Sequence, residues 1–519
     1  MSEVDQVRRN LLTAGAIVGG AATLGIPLSA MAGHASLPMP EYDNLDVTAM
    51  VELLKAGEVT PVDLVDAALA RFESRSAINA VAVEHFDRAR EQALKLSKLG
   101  HSVRAAQMEK VPLQGVPFAL KDLYVKLKGT VTTNGCSFFE DDVAAHNSTL
   151  VDRYEAAGLN IMAKLTSPEF GQTATTESTL HGNTLNPWSL QHSTGGSSGG
   201  SAAVVAARIL PAAHASDGGG SIRIPASHCG LFGLKPSRGR VPMGPDVIEG
   251  WMGLSVHNTV TRTVRDSALL LQLTQGFEAG SRLRHPHENF VEAIAAPPKR
   301  LRIAVMKAHP FGLPVHQDCL DAIDKTISLL TDLGHEVVEA SPVLPIEAMF
   351  KGMGVATSTG LLRTVSKREK ALGRAAREDE FEAISWMHLQ NAKTYTAEQV
   401  YAARAAFDEG GQVFDRFFTE YDLLLTAVTA TPPPMIGELS LNQPFESFVQ
   451  NVIKASPITA LFNHTGLPAM SVPLYWNREG LPIGVQVAAP FGGDAMLLSL
   501  AAQLEQAAPW THRLPAMLS

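Results

Sequence analysis

The apolar positions of this chain fall into helical stretches and short continuous runs. Residues 45 to 72, LDVTAMVELLKAGEVTPVDLVDAALARF, repeat their apolar side chains at helical spacing and predict helix near the start of the folded body. Residues 345 to 418 carry the same periodicity among many charges and predict two or three helices packed on a larger body. The run from Val116 to Leu120 reads as a buried apolar segment that delivers Lys121 and Asp122 at its end. The run AAVVAARILPAA, residues 202 to 213, has room for one helix and the entry to a strand. It leads into SIRIPASHCGLFGLKP, residues 221 to 236, which reads as core strand with a buried turn. TATPPPMIG, residues 429 to 437, predicts a rigid loop near the functional site. The chain has no internal repeat and no low-complexity tail.

Two glycine-rich turns flank the apolar run at 202 to 213 and change its meaning. They set Ser197 and Ser221 on backbones that can approach a ligand closely and turn N–H groups toward it. Gly218, Gly219 and Gly220 directly precede Ser221, so a hydroxyl stands beside a row of backbone N–H groups. Acyl transfer needs that pairing of a nucleophile with an oxyanion hole. A flexible Ser/Gly linker does not explain the pattern, because a linker is not interleaved with buried apolar runs. Gly196 to Gly200 also matches G-x-S-x-G, the elbow of α/β-hydrolases, but the preceding NPWSLQHST does not read as the buried strand that elbow requires. Lys121 supplies the third element. A lysine at the end of a buried segment loses hydration, its neutral form becomes accessible, and a neutral lysine can serve a serine as general base. Asp217 and Arg223, of opposite charge on either side of Ser221, read as a structural pair that stiffens the turn. His228 reads as a satisfied core residue and Ser198 as a hydrogen-bonding neighbour.

Taken together, GVPFALKD (115 to 122), GGSSGGSAA (195 to 203) and DGGGSIRIPASHCGLFGLKPSRGR (217 to 240) resemble the amidase signature family. The resemblance extends through HGNTLNPW (181 to 188) to NHTGLPAMSVPLYWNREGLPIGVQV (463 to 487). Within the family it is nearest to the branch of 6-aminohexanoate-cyclic-dimer hydrolases. The resemblance implies an α/β fold, a mixed twisted central sheet wrapped by helices in one large domain over residues 33 to 519. It implies a Ser-cisSer-Lys triad with Ser221 as nucleophile, Ser197 as bridging serine after a cis Gly196–Ser197 bond, and Lys121 as base. The oxyanion hole then falls on the N–H groups of Gly218, Gly219, Gly220 and Ser221. Many family members carry threonine at the position of Gly218, so SDGGGS is a variant. The implied activity is amide hydrolysis through a seryl acyl-enzyme, with no metal and no organic cofactor. Ester or aryl-amide hydrolysis by the same site is the alternative, with a glutamine-hydrolysing amidotransferase subunit further off. The segment 345 to 418 is expected to form one wall of a substrate funnel. The absence of charge clusters beside the motifs, apart from Asp217 and Arg223, predicts a mostly apolar funnel for small neutral linear or cyclic amides.

Charge and length fit this picture. The 519 residues are 45% hydrophobic and 18% charged, enough for a large core. A net charge of −9 offers no basic footprint, so nucleic acid is not an expected partner. Cys136, Cys229 and Cys319 have neither metal-ligand spacing nor an even framework; Cys229 reads as a buried thiol and Cys136 as a candidate for the pocket wall. The N-terminus carries Arg8-Arg9 ahead of a glycine-rich, moderately apolar run ending in Ala30-Met31-Ala32. This reads as a twin-arginine export signal over residues 1 to 32, cleaved before Gly33, with a periplasmic or secreted product and no stable membrane association after cleavage. An uncleaved anchor and a cytoplasmic protein are the alternatives, and a homodimer stays open. Export argues against the amidotransferase role, whose partner and tRNA are cytoplasmic.

Overall fold

The computed structural model describes residues 39 to 518. The export-signal reading at Arg8, Arg9 and residues 30 to 33 lies outside the described residues. Among the described residues no helix is long and apolar enough to cross a membrane.

Two sheets carry the site. The smaller one holds β1 (Val81–Glu84), β2 (Pro117–Lys121) and β3 (Asn160–Leu165) in the order β1-β3-β2, with β2 and β3 parallel. The larger one comprises β4 (Ala212–Asp217), β5 (Phe232–Lys235), β6 (Val256–Thr261), β7 (Arg302–Met306), β8 (Glu336–Glu339), β9 (Leu423–Ala427), β10 (Ala469–Trp476) and β11 (Pro482–Ala488). Its order is β8-β7-β9-β11-β10-β5-β6-β4, parallel through β8, β7 and β9 and antiparallel across the rest. The mixed sheet wrapped by helices is the architecture the sequence implied. β9 and β11 are buried along their whole length, and the polar residues within them, Thr426 and Gln486, hydrogen-bond to each other at 2.9 Å. The edge strand β8 instead begins and ends on exposed glutamates, which discourages pairing with another chain.

The periodic segments became helices, with one instructive break. The 45 to 72 stretch divides into α1 (Val47–Ala56) and α2 (Pro61–Ser74). Gly57 at φ 73 closes the first, and Thr60 with Asp63 forms a capping box for the second, with Pro61 at its first turn. The run after Gly200 gives α3 (Gly199–Ala206) and then β4, as its length allowed. SIRIPASH departs from the strand reading: α4 (Arg223–His228) is helical, and the strand begins only at Phe232. Asp217 accepts the N–H groups of Ile222 and Arg223, which winds the chain after Ser221 into a helical turn, and Pro225 sits early enough in it to be tolerated. The 345 to 418 segment forms three helices, α5 (Ile346–Leu372), α6 (Ala383–Ala392) and α7 (Ala397–Phe417). An aromatic cluster of Phe138, Phe139 and Phe170 against Phe381 and Trp386 docks this segment onto the body just beyond β2.

Candidate active site

Three chain segments converge at one cavity because the two sheets abut through β2 and β4. Lys121 ends β2 and is fully buried; its backbone N–H donates to His214 Nδ1 on β4 at 3.1 Å, which ties the strands together. Its Nζ lies 2.7 Å from Ser197 Oγ and 3.2 Å from Ser216 Oγ. Among the described residues no carboxylate lies within ion-pair distance of this amine. Burial therefore drives its pKa well below that of an ordinary lysine, and the more distant Asp217 opposes this only in part. The Gly196–Ser197 bond is cis. Ser197, Ser216, Gly218 and Ser221 all line a cavity of about 250 Å³. Ser198 turns away from Lys121 and donates to the Ser216 carbonyl at 3.1 Å.

The turn that carries Ser221 is held from beneath by a buried ion pair. Arg223 Nη2 and Nε each lie 2.9 Å from Asp217, and neither side chain has any exposed surface. Burial alone would raise the Asp217 carboxyl, but the Arg223 charge and hydrogen bonds pull it below the usual carboxylate range. Arg223 also donates to Gln486 Oε1, Asn463 Oδ1 and the Thr459 carbonyl. Asn463 in turn donates to Asp217 Oδ1 at 2.8 Å. Arg223→Met leaves a carboxylate buried without its cation and three acceptors without a donor. The expected loss is about 3–5 kcal/mol of stability, read from urea unfolding; a loss below about 1 kcal/mol would refute the role given to the pair.

One of the four N–H groups expected in the oxyanion hole is already spent. Gly220 N–H donates to Asp217 Oδ1 at 2.8 Å, which leaves Gly218, Gly219 and Ser221 as the candidate donors. The cause is the sharp turn: Gly220 has φ +135, which points its N–H inward at the carboxylate. The glycine at 218 has a visible reason. A Cβ there would stand 2.6 Å from the Trp251 ring, and a Cβ on Gly360 of α5 would stand 2.8 Å from the same ring. Trp251 fills the room that a threonine would take.

The cavity wall corrects several expectations. It includes Leu123, Tyr124, Phe139 and Trp251, apolar as expected, and α5 forms one side through Gly360, Arg363 and Thr364. The same wall, however, also carries charge, with Lys126, Asp246, Glu249 and Lys367. Lys126 and Lys367 share Asp246 at 2.7 and 3.2 Å. These charges come from segments remote in sequence, so no motif-centred reading could assemble them. The 429 to 437 loop is absent from this wall; Thr429 packs behind it on His228 at 3.5 Å. His228 is a core residue, but its Nδ1 has no partner among the described residues, and burial lowers its pKa to about 3. Cys136 sits in the aromatic cluster with its Sγ 3.3 Å from the Glu380 carbonyl, not in the cavity. Cys229 is buried as expected. Ser216, His214, Trp251 and Asn463 escaped the sequence reading. Polar residues alternating on a fully buried strand, His214 and Ser216 in AAHASD, were the available signal for two of them.

Comparison with known proteins bears on this geometry. The family model described as Amidase matches residues 63 to 498. The 6-aminohexanoate-cyclic-dimer hydrolase of Paenarthrobacter ureafaciens is 34% identical over 493 residues, covering 91% of this chain and 97% of that protein. A solved 6-aminohexanoate cyclic dimer hydrolase complexed with substrate superimposes with a TM-score of 0.83 at 32% identity, covering 92% of this chain and all of the other. A bacterial aryl acylamidase structure gives a TM-score of 0.81 at 28% identity, covering 90% and 97%.

Proposed function

The chain belongs to the amidase signature family, a hydrolase acting on carbon–nitrogen bonds of small amides, and from that premise we propose that Lys121, Ser197 and Ser221 are its catalytic triad. The observation that carries this is the 2.7 Å contact between a fully buried, carboxylate-free Lys121 amine and Ser197 Oγ, in the cavity that Ser221 lines. Neutral Lys121 takes the Ser197 proton as Ser197 takes that of Ser221. Ser221 Oγ then bonds to the amide carbon, and the N–H groups of Gly218, Gly219 and Ser221 hold the oxyanion. Ser197 passes a proton to the leaving nitrogen and recovers one from Lys121 as the carbon–nitrogen bond breaks. Water attacks the resulting ester by the same relay, releasing acid and free Ser221. Each well-aimed oxyanion donor lowers the barrier by about 3–4 kcal/mol.

The substrate class we propose is small linear or cyclic amides whose scissile bond sits beside Ser221 in the mostly apolar cavity that it lines. The relatives named for a cyclic amide support this class. Aryl amides are a second reading, favoured by Tyr124, Phe139 and Trp251 on the wall. Measuring kcat/KM over neutral, anionic and cationic amides of matched length, with one ester partner, tests it. Acyl chains should differ by no more than about a hundredfold, since apolar contacts discriminate weakly. A larger preference for one charged class, or turnover of the ester alone, would refute it.

We also propose export by the twin-arginine route, on the pattern of residues 1 to 32. Protein recovered from the native host's periplasm should begin at or near Gly33. Arg8→Lys with Arg9→Lys should hold the precursor in the cytoplasm, and continued export of that variant would count against the route.

A further inference from the structure

Lys121 forces the tautomers of two buried histidines. Its backbone N–H can only donate, so His214 Nδ1 accepts at 3.1 Å and the one proton of neutral His214 sits on Nε2. His214 Nε2 lies 3.1 Å from His257 Nδ1, so that nitrogen must be the acceptor, and the His257 proton sits on Nε2. An imidazolium at His257 would set two N–H groups head to head in this chain. Burial, and after it the nearby Lys121, lowers the His257 pKa to about 4, in keeping with a neutral ring.

The end of the chain faces the cavity. His257 on β6 pairs with Ser216 on β4, so both side chains stand on the same face of the sheet, beside the Lys121 amine. His257 is 4% exposed and lines the cavity with Ser197, Ser216 and Ser221. Its Nε2 has no hydrogen bond to another described residue and is not among the buried polar atoms left unpaired, so it opens onto the cavity. Water can serve this N–H in the free protein, and a substrate that displaces that water must bring an acceptor of its own or leave the donor unpaired.

We propose that His257 is a specificity-determining residue whose Nε2–H, fixed in direction by Lys121 through His214, binds a second hydrogen-bond acceptor of the substrate, a carbonyl oxygen beyond the scissile amide. This rests on the triad assignment above and narrows its substrates to amides carrying a second carbonyl, such as diamides and short acyl-amino amides. A simple monoamide leaves the donor unpaired, and the site discriminates against it as a polar site does against an analogue lacking its partner.

The test uses a series of linear amides in which a second carbonyl is moved along the chain, each matched to an analogue with a methylene in its place. For the wild-type protein, at least one carbonyl position should raise kcat/KM by about tenfold over its methylene partner. His257→Asn keeps an acceptor for His214 but withdraws the Nε2–H donor. It should lower that preferred substrate's kcat/KM by about tenfold, mainly through KM, and change the methylene analogue by less than about threefold. No carbonyl preference at any position in the wild type overturns the proposal, even if the variant does not fold. Equal losses on both partners overturn it as well, because His257 would then act on Lys121 and not on substrate. Turnover of the monoamide by the wild type reports separately on the triad.

Discussion

Ser221→Ala is expected to reduce amide turnover to the level of the uncatalysed reaction plus what the cavity alone supplies, a loss of about 10⁶-fold in kcat. Nothing nearby replaces it. Ser197 Oγ is engaged by Lys121, and Ser198 donates to the Ser216 carbonyl. Ser216 also lies beside Lys121, one residue before the turn that presents the N–H groups. Steady-state hydrolysis of a good amide, with circular dichroism to show an intact fold, checks it. A residual rate within about tenfold of wild type would remove Ser221 from the mechanism.

Lys121→Ala should cost about 10³–10⁵-fold in kcat for amides, and less for esters. The asymmetry follows from the leaving group. An amine must be protonated as it departs, and in the proposed relay that proton comes through Ser197 from Lys121, whereas an alcohol of a reactive ester leaves more readily. The pH dependence has a definite sign. Burial holds the folded-state pKa of Lys121 well below that of an ordinary lysine, and the neutral amine is the form the proposed mechanism uses. Activity should therefore rise with pH as Lys121 loses its proton and fall as pH drops through that depressed pKa. In Lys121→Ala this limb should disappear. An unchanged pH profile in the variant, or near-native amide turnover at neutral pH, would contradict the assignment.

The residues of the candidate site were legible because each part sits in a local motif, an apolar run ending in Lys121 and two glycine turns around Ser197 and Ser221, and the structure brings these parts to one cavity. The fold class was legible for a related reason, since the long motifs span most of the chain. What stayed hidden depends on contacts between distant segments. Asn463 and Gln486 reach Arg223 across more than two hundred residues, and no local pattern announces them. The charged part of the cavity wall combines Lys126, Asp246 and Lys367 from three separate stretches. The Gly220 N–H illustrates a subtler limit. Its place in the glycine row suggested a free donor, but the direction of a backbone N–H depends on φ, and the Asp217 carboxylate claims it. α4 was misread as strand for a similar reason: Ile222 and Ile224, the latter just ahead of Pro225, favour extended backbone, and the side chain of Asp217 overrides them.

The central claim is that Ser221 carries the acyl group between the two half-reactions. Labelling the protein with an active-site-directed fluorophosphonate and mapping the adduct by peptide mass spectrometry tests it most directly. One adduct on Ser221, absent after Ser221→Ala and slowed in Lys121→Ala, is the predicted result. An adduct on Ser198, or labelling that survives the loss of Ser221, would contradict the account.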